Sequence, residues 1–530
     1  MRLIVVFAFL MVTQGVLTAA DKPPQGTYPW EDFWKVENRL TKGRPYMESY
    51  ILHGKRQLFV DNYIVEHMDN LERVLHQPVR YAGNPVLMAD QPWEVQIAWV
   101  NVIYDDEEHT FRAWYQIPAG LCYAISKDGI HWDKPILNLV EYKGSKANNI
   151  VISGPGKDSP TVLKDPLARD AQHRYVYFAK HNAPKYGMYV GYSADGIHWT
   201  VDPEPVLTPV DDPTLNDRPN FMIDSAKKRY VGLTKSERAN PFGYGDWGMF
   251  QRMKAITFSD DLHHWTKPVV ILKPDDRDPP TLQIYGMMGF NYEGMYLGLA
   301  DIFHSQDSGP NAFTVDVQLA LSRNGEDWWR AGNRQTFFGT GPENAWDRYR
   351  VYEANTPPIS VGNELWFYYR GDATRHTPPA PEWRQGPPWF AHIDPAEPLP
   401  SSMPASGMGL AKLRRDGFIS VDAGARPGRL LTRPLIFDGT QLHVNANANG
   451  GFVRAELYLA EKKESNYGSY SWAIGDPIPG FSLSDCEPFR ADSTNSVLQW
   501  KGGSLDRFAG QYVVIRFELV NASLYSFWLE

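Results

Sequence analysis

The residues of this 530-residue chain best suited to chemistry are carboxyl groups at the ends of strand-like runs. Asp165 closes TVLKD, directly before Pro166. Asp217 and Arg218 precede a run that begins near Asn220, where the guanidinium could hold the acid's charge or bind a carboxylate or sulfate. In WDRYRVYEA, strand alternation would put 347, 349, 351 and 353 on one face, so Asp347 and Glu353 share a side, with Arg350 between them in sequence. The pair Trp93–Glu94 repeats Trp346–Asp347. Two such carboxyls, one kept protonated and one ionised, can carry general acid–base or nucleophilic work. An aromatic ring beside a carboxylate suits a ligand with both an apolar face and hydroxyl groups. Asp61 is a further acid, and Tyr285, His304 and His376 fall at strand ends where a binding mouth would lie. Each has a bland counterpart: an Asp-Pro turn, a solvated Asp-Arg loop, a Trp closing two neighbouring sheets, a structural His.

The elements that must position these groups are legible from repeats. SKDGIHW at Ser126 returns as SADGIHW at Ser193, SDDLHHW at Ser259 and SRNGEDW at Ser322, in steps of 67, 66 and 63 residues. That period suits a four-stranded antiparallel blade of a β-propeller. Within the phrase, Asp-Gly after a strand-like run is a tight-turn signal, with Gly at positive φ and the Asp carboxylate capping amides. A fainter repeat relates Gln91–Gln116 to Asn344–Gly371 and adds a blade at each end. Middle strands FRAWYQ, RYVYFAK, RYVGLTK, MYLGLADIF and LWFYYRG count five blades, with a degenerate last turn in LRRDGFIS and a proline-rich loop between Thr377 and Pro404. After about Val421 come alternating runs of a second all-β unit the size of a β-sandwich. The expected fold is thus all-β, a five-bladed propeller over 56–420 followed by a sandwich over 421–530. Residues 1–20 form a secretory signal and 21–55 an N-terminal extension.

Composition agrees with a large exported β protein. Aromatic content is 13%, with 43 Gly and 41 Pro for many short strands joined by turns. Met1-Arg2, the apolar run LIVVFAFLMV and the small residues Thr18-Ala19-Ala20 predict signal cleavage and a secreted or periplasmic location. No later stretch is apolar enough to anchor the chain in a membrane. Only Cys122 and Cys486 are present, so no disulfide framework is expected. A net charge of −9 with no basic stripe argues against nucleic acid. GYGDWG at Gly243 lies between strands with no helix after it, so no dinucleotide is expected. No metal-ligating cluster or cofactor motif is found, although plentiful oxygen ligands leave room for a structural Ca²⁺.

The DGIHW turns, GNPVLMADQPWE and VLKDPLARDAQHRYVYFAK resemble the five-bladed β-propeller glycoside hydrolases, which include the invertase-like (family 32) and arabinanase- or xylosidase-like (family 43-like) enzymes. Lys164 stands where the invertase-type strand has Arg before Asp-Pro. WMNDPNG and the Glu-Cys acid motif are absent. The C-terminal unit resembles the companion sandwich of invertase-like enzymes. The resemblance implies an exported glycoside hydrolase that cleaves a terminal or near-terminal sugar of an oligo- or polysaccharide with paired carboxylates in a central pocket. It makes Asp165 the carboxylate that orients sugar hydroxyls and stabilises an oxocarbenium-like transition state. The acid, base or nucleophile is sought among Asp217, Glu353, Asp347 and Glu94, and substrate contacts among Trp93, Arg218, Tyr285, His304, Arg350 and His376. Alternatives are a non-catalytic carbohydrate-binding or scaffold propeller and a sialidase-like exo-glycosidase. The turn phrase is one residue shorter than an Asp box, and the sequence identifies no arginine triad.

Overall fold

A computed structural model describes residues 50–52, 54–153, 157–182, 184–211, 215, 218–239, 250–305, 313–376, 403–464 and 470–530. The expected signal and most of the extension, most of the proline-rich loop, GYGDWG and Asp217 lie outside the described residues. Regular structure is nearly all strand.

Three separate four-stranded antiparallel sheets follow one another along the chain. The first runs from Val100–Asp105 to Ile150–Ser153, the second from Lys157–Lys164 to Thr200–Val201, the third from Asn220–Asp224 to Val269–Leu272. An eleven-stranded sheet follows, and at one point it holds together only through a parallel pair, Val315 with Arg350. On one side of that bridge stand Leu282–Tyr292, Met295–His304 and Thr314–Ser322 with two short strands. On the other stand Arg350–Glu353, Glu364–Asp372 and Ser406–Arg414. This last group takes its outer strands, Val79–Arg80 and Leu87–Met88, from the beginning of the chain. Such pairing closes a propeller ring and removes its open edges.

The turn phrases owe their shape to short-range bonds. Ser126 Oγ accepts from the Gly129 amide at 2.8 Å, and Asp128 Oδ1 accepts from Ile130 and His131 at 2.8 Å. The copies at Ser193, Ser259 and Ser322 repeat the pattern. Gly196, at φ +76°, sits so close over Trp114 of the preceding blade that a Cβ would collide with the indole. The turn is therefore also a contact between blades.

A second repeat ties consecutive blades. Where the innermost strand ends, an acid accepts a hydrogen bond from a tyrosine that opens the middle strand of the next blade: Tyr175 to Asp105 at 2.6 Å, Tyr230 to Asp165 at 2.7 Å, Tyr296 to Asp224 at 2.6 Å.

The remaining strands form two stacked sheets around a core that includes Phe59, Ile515, Phe517 and Phe527. Here the sequence expectation needs correcting. Gln57–Leu58, Val65–Asp69 and Glu72–Leu75, expected to begin the propeller, pair with sandwich strands Ala522–Leu529, Gly428–Thr432 and Ile419–Ala423. Nothing within 57–75 signals a partner more than 300 residues away, so the boundary at 56 could not be read locally. The sandwich is thus built from both ends of the described chain. Asp416, in the degenerate last turn, joins it to the propeller: its carboxylate accepts from Arg56 at 2.8 Å, Tyr292 at 2.7 Å and Ser526 at 2.6 Å.

Candidate active site at the propeller axis

The beginnings of the inner strands converge on a floor of amides. Asn101 Nδ2 donates to the Pro160 carbonyl at 3.0 Å, Asn355 Nδ2 donates to the same carbonyl at 2.8 Å, and the Asn355 amide donates to Val100 at 2.8 Å. Buried backbone groups need partners, and side-chain amides supply both a donor and an acceptor where blades meet without a shared ladder.

On this floor lies Arg218, fully buried, at φ +60°. A non-glycine residue in the left-handed region is held there by its surroundings against a cost of about 1 to 3 kcal/mol. The surroundings are evident. Its guanidinium donates to Asp301 at 2.8 Å, Glu353 at 2.8 Å and Asn355 at 2.5 Å, and lies 4.2 Å over the Trp99 ring. Its amide donates to Ser159 at 3.2 Å. Gly286 makes room, since a Cβ there would collide with Asp301 and Arg218, and the strand carries a register shift between Ile284 and Gly286. Bulges of this kind re-aim side chains beside functional sites.

Asp301 and Glu353 hydrogen-bond to each other as well as to Arg218. Two carboxyls in contact cannot both ionise, so they share a proton. Burial and then the Asp301 charge raise Glu353 well above the usual carboxylate range, although Arg218 pulls the other way. For Arg218 burial would favour the neutral form, but Asp301 and Glu353 outweigh it and hold the guanidinium charged. Lys254, entirely buried with its ammonium 3.1 Å from the Arg218 carbonyl, is pushed down to about 7 by burial and then by the Arg218 charge.

Aromatic rings complete the wall. Trp99 meets Tyr352 edge-on at 5.1 Å, Tyr285 stands 6.1 Å from Tyr352, and His376 lies 5.4 Å from Tyr285. Arg370 lies 5.0 Å over Trp99 and donates to Asp372 at 2.8 Å, and Arg350 reaches the same carboxylate at 3.0 Å.

Of the residues singled out from sequence, Glu353, Arg218, Tyr285, His376 and Arg350 belong to this axial cluster. His304, at the end of Met295–His304, is half-buried and bonds Asp316 at 3.1 Å. Asp165 does not join the cluster. It ends the strand whose Ser159 touches Arg218, six residues away or about 20 Å along an extended chain. There it clasps Tyr230, accepts from the Leu167 amide at 2.8 Å and lines an outer groove of about 1030 Å³ with His198 and His263.

Asp347 and Glu94 do not join it either. Asp347 precedes the strand Arg350–Glu353, so strand alternation never reaches it, and its carboxylate is taken by Arg80 at 2.7 Å and Tyr369 at 3.0 Å. Glu94 repeats that arrangement with Lys134 at 2.6 Å and Tyr115 at 2.5 Å. Trp93 donates to Asn149 at 2.8 Å and packs in the first blade's core. The Trp–acid repeat is a structural unit present twice. Asp61 receives Arg323 in a two-pronged ion pair at 2.9 and 2.8 Å, beside the sandwich.

Sequence reasoning missed Asp301, Trp99, Tyr352, Arg370 and Lys254. The available signal was an acid inside the apolar run MYLGLADIF, since a buried charge in a strand interior needs a partner. Among the described residues no group of three or more His, Cys, Asp or Glu side chains could hold a metal ion.

No family model matches the chain. An uncharacterized protein of Mycobacterium tuberculosis, found in two strains, is 29% identical over 133 residues, covering 23% of this chain and 39% of the relative. The chain therefore spans about two fifths of the length of these curated relatives. Similar solved structures include a glycosyl hydrolase from Bacteroides ovatus (13% identity, 64% of this chain and 94% of that one, TM-score 0.43). Others are a thermostable family-43 glycoside hydrolase (13%, 62% and 95%, 0.40) and an N-acetylgalactosamine deacetylase from F. plautii in complex with blood group B trisaccharide (13%, 65% and 96%, 0.42). These likenesses assign no activity to the chain.

Proposed function

We propose that the chain is an exported carbohydrate-active enzyme that cleaves a glycosidic bond at a terminal or near-terminal sugar bound at the propeller axis, with Glu353 as the proton donor. The observation that carries this reading is a carboxyl held protonated by burial and by Asp301, set among Trp99, Tyr285 and Tyr352. A general acid for glycoside cleavage must keep its proton near neutral pH, and burial beside a second carboxylate achieves that. Aromatic faces receive the apolar face of a sugar ring.

Asp301 is in hydrogen-bonding contact with Glu353, far nearer than the roughly 5 to 5.5 Å of a retaining acid–nucleophile pair or the 6.5 to 9.5 Å of an inverting pair. It therefore tunes Glu353 instead of serving as the opposite carboxylate. Asp372 is a candidate for that second part: Arg350 and Arg370 anchor one oxygen while the other is buried with no hydrogen-bond partner. On bond cleavage the Glu353 proton passes to the leaving oxygen, and a water molecule adds hydroxide to the anomeric carbon while its remaining proton passes to the Asp372 carboxylate.

Turnover of a glycan library by the full chain tests the proposal. Glu353→Gln is expected to lower it by a factor of about 10² to 10⁴ without changing the fold, and unchanged turnover would remove Glu353 from the reaction. A non-catalytic binding propeller is favoured by one observation, the near-complete burial of Arg218 between its two carboxylates. Binding of glycans with no turnover of any would select it. Export rests on the apolar N-terminal run and predicts a mature protein beginning at Asp21, measurable by mass spectrometry of the native product.

A further inference from the structure

Three successive junctions between blades are built on one plan, and the middle one stands open. At the first, charge packs around the Tyr175–Asp105 clasp. Lys164 reaches Asp105 at 3.2 Å and Glu107 at 2.9 Å, and Arg174, directly before the clasping tyrosine, reaches Glu107 at 2.7 Å. At the third, Arg229 reaches Asp224 and Glu326 at 3.5 Å each, and Lys227 reaches Glu326 at 3.6 Å. At the second, Leu167 stands where the first has Glu107, each donating its amide to the acid two residues earlier. Arg229, the counterpart of Arg174, finds no carboxylate there and turns to the third junction instead. Asp165 accordingly meets no lysine or arginine within ion-pair distance among the described residues. Burial raises its carboxyl above the ordinary value, whereas at Asp105 burial is outweighed by Tyr175 and Lys164, which hold it down at about 2.

The ion pairs missing from this junction leave the outer groove of about 1030 Å³, a volume at the upper end of the roughly 300 to 1,000 Å³ of small-molecule pockets. The groove is nevertheless polar. The side chains of Arg169, Gln172 and Lys228 and the Tyr192 hydroxyl line it, and none makes a hydrogen bond or ion pair among the described residues. Asp202 and Asp260 offer acceptors on the same walls, and Leu167 and Leu262 offer apolar surface. The Tyr192 ring is held edge-on by His173 at 4.6 Å. An apolar ligand would leave these donors and acids unmatched, and a simple anion would meet Asp202 and Asp260. No group of three or more ligating side chains here could hold a metal ion. Hydroxyl groups both donate and accept, and a sugar ring adds an apolar face for Tyr192.

We infer that this groove is a second saccharide-binding site, apart from the axis, which holds uncleaved units of a glycan polymer through Arg169, Lys228 and the Tyr192 hydroxyl. The inference goes beyond the proposed function and shares with it only the class of ligand. Nothing at this junction cleaves a bond; the site keeps the protein on its polymer between events at the axis.

The turn phrases supply an internal control for its test. His198 and His264 line the groove, and His131 holds the same position in the first blade's phrase, outside it. Each bonds the Asp of its own turn through Nδ1 at 2.7 Å, and the three side chains are 69%, 90% and 86% exposed, so Nε2 of each is open to diethyl pyrocarbonate. The full chain is treated with this reagent alone and with tetrasaccharides of glucose, mannose, xylose and arabinose as probes, and the modified peptides are measured by mass spectrometry. At least one probe is expected to slow modification of His198 and His264 by about tenfold at ten times its dissociation constant, with His131 unaffected. Arg169→Ala combined with Tyr192→Phe removes no hydrogen bond or ion pair within the described residues and should weaken that probe by about tenfold. The inference is overturned if no probe shields His198 and His264 beyond His131, or if the variant is shielded as well as the wild type. Selective shielding with no turnover of any glycan would remove the proposed function and leave the second site standing. Turnover without selective shielding would do the reverse.

Discussion

At the scale of single residues, Arg218 decides most of what the axis can do. It neutralises two carboxyls that share a proton, and removing it would leave buried charge uncompensated. Breaking a buried ion network in this way costs about 3 to 5 kcal/mol. Arg218→Met is therefore expected to lower stability by that amount in chemical denaturation, whereas Glu353→Gln, which keeps shape and hydrogen bonding, should cost far less. Lys254 gives a pH signature. Its folded value near 7 lies below the unfolded value of about 10.4, so between these pH values the unfolded chain binds more protons and stability rises with pH. Lys254→Met should remove this contribution. The wild type should gain on the variant by up to about 1.4 kcal/mol per pH unit from pH 7 to 9, a window below the titration of the buried tyrosines.

The element scale explains what could and could not be read in advance. The turn phrase was legible because its bonds close within four residues, so Ser126, Asp128 and Gly129 carry their geometry in the sequence. Glu353 and Arg218 were legible as strand-end charges. Asp165 carried the same local signal, but a strand has two ends and the sequence does not say which faces the reacting groups. Its counterparts Asp105 and Asp224, each clasped by a tyrosine, reveal it as one member of a structural series only once the blades are superposed in mind. Asp301 gained its meaning from Arg218, 83 residues earlier, and no local pattern announces such a pair. It follows that Asp165→Asn and Tyr230→Phe should each lower stability by about 1 to 3 kcal/mol, with the double variant losing less than the sum. Glycan turnover at a temperature where both remain folded should be unchanged. A large loss of turnover in folded Asp165→Asn would return that carboxylate to the reaction.

For the whole molecule, the sandwich and propeller are not separable by a single cut. Removing residues 424–530 would strip partners from Gln57–Leu58 and Val65–Asp69 and expose the core around Phe59. Limited proteolysis is expected to degrade such a truncated chain throughout, with no resistant propeller fragment. A protected fragment covering roughly 79–414 would show that the ring stands alone.

The closing strands Val79–Arg80 and Leu87–Met88 meet Ser406–Arg414 across more than 300 residues of chain. During synthesis the earliest strands must therefore wait, unpaired, until the last have emerged, and only then can ring and sandwich close together. Contacts so distant in sequence carry a heavy loop-closure cost and slow the final step of folding. Under the export proposed above, that delay would keep the chain threadable until its last strands have been made.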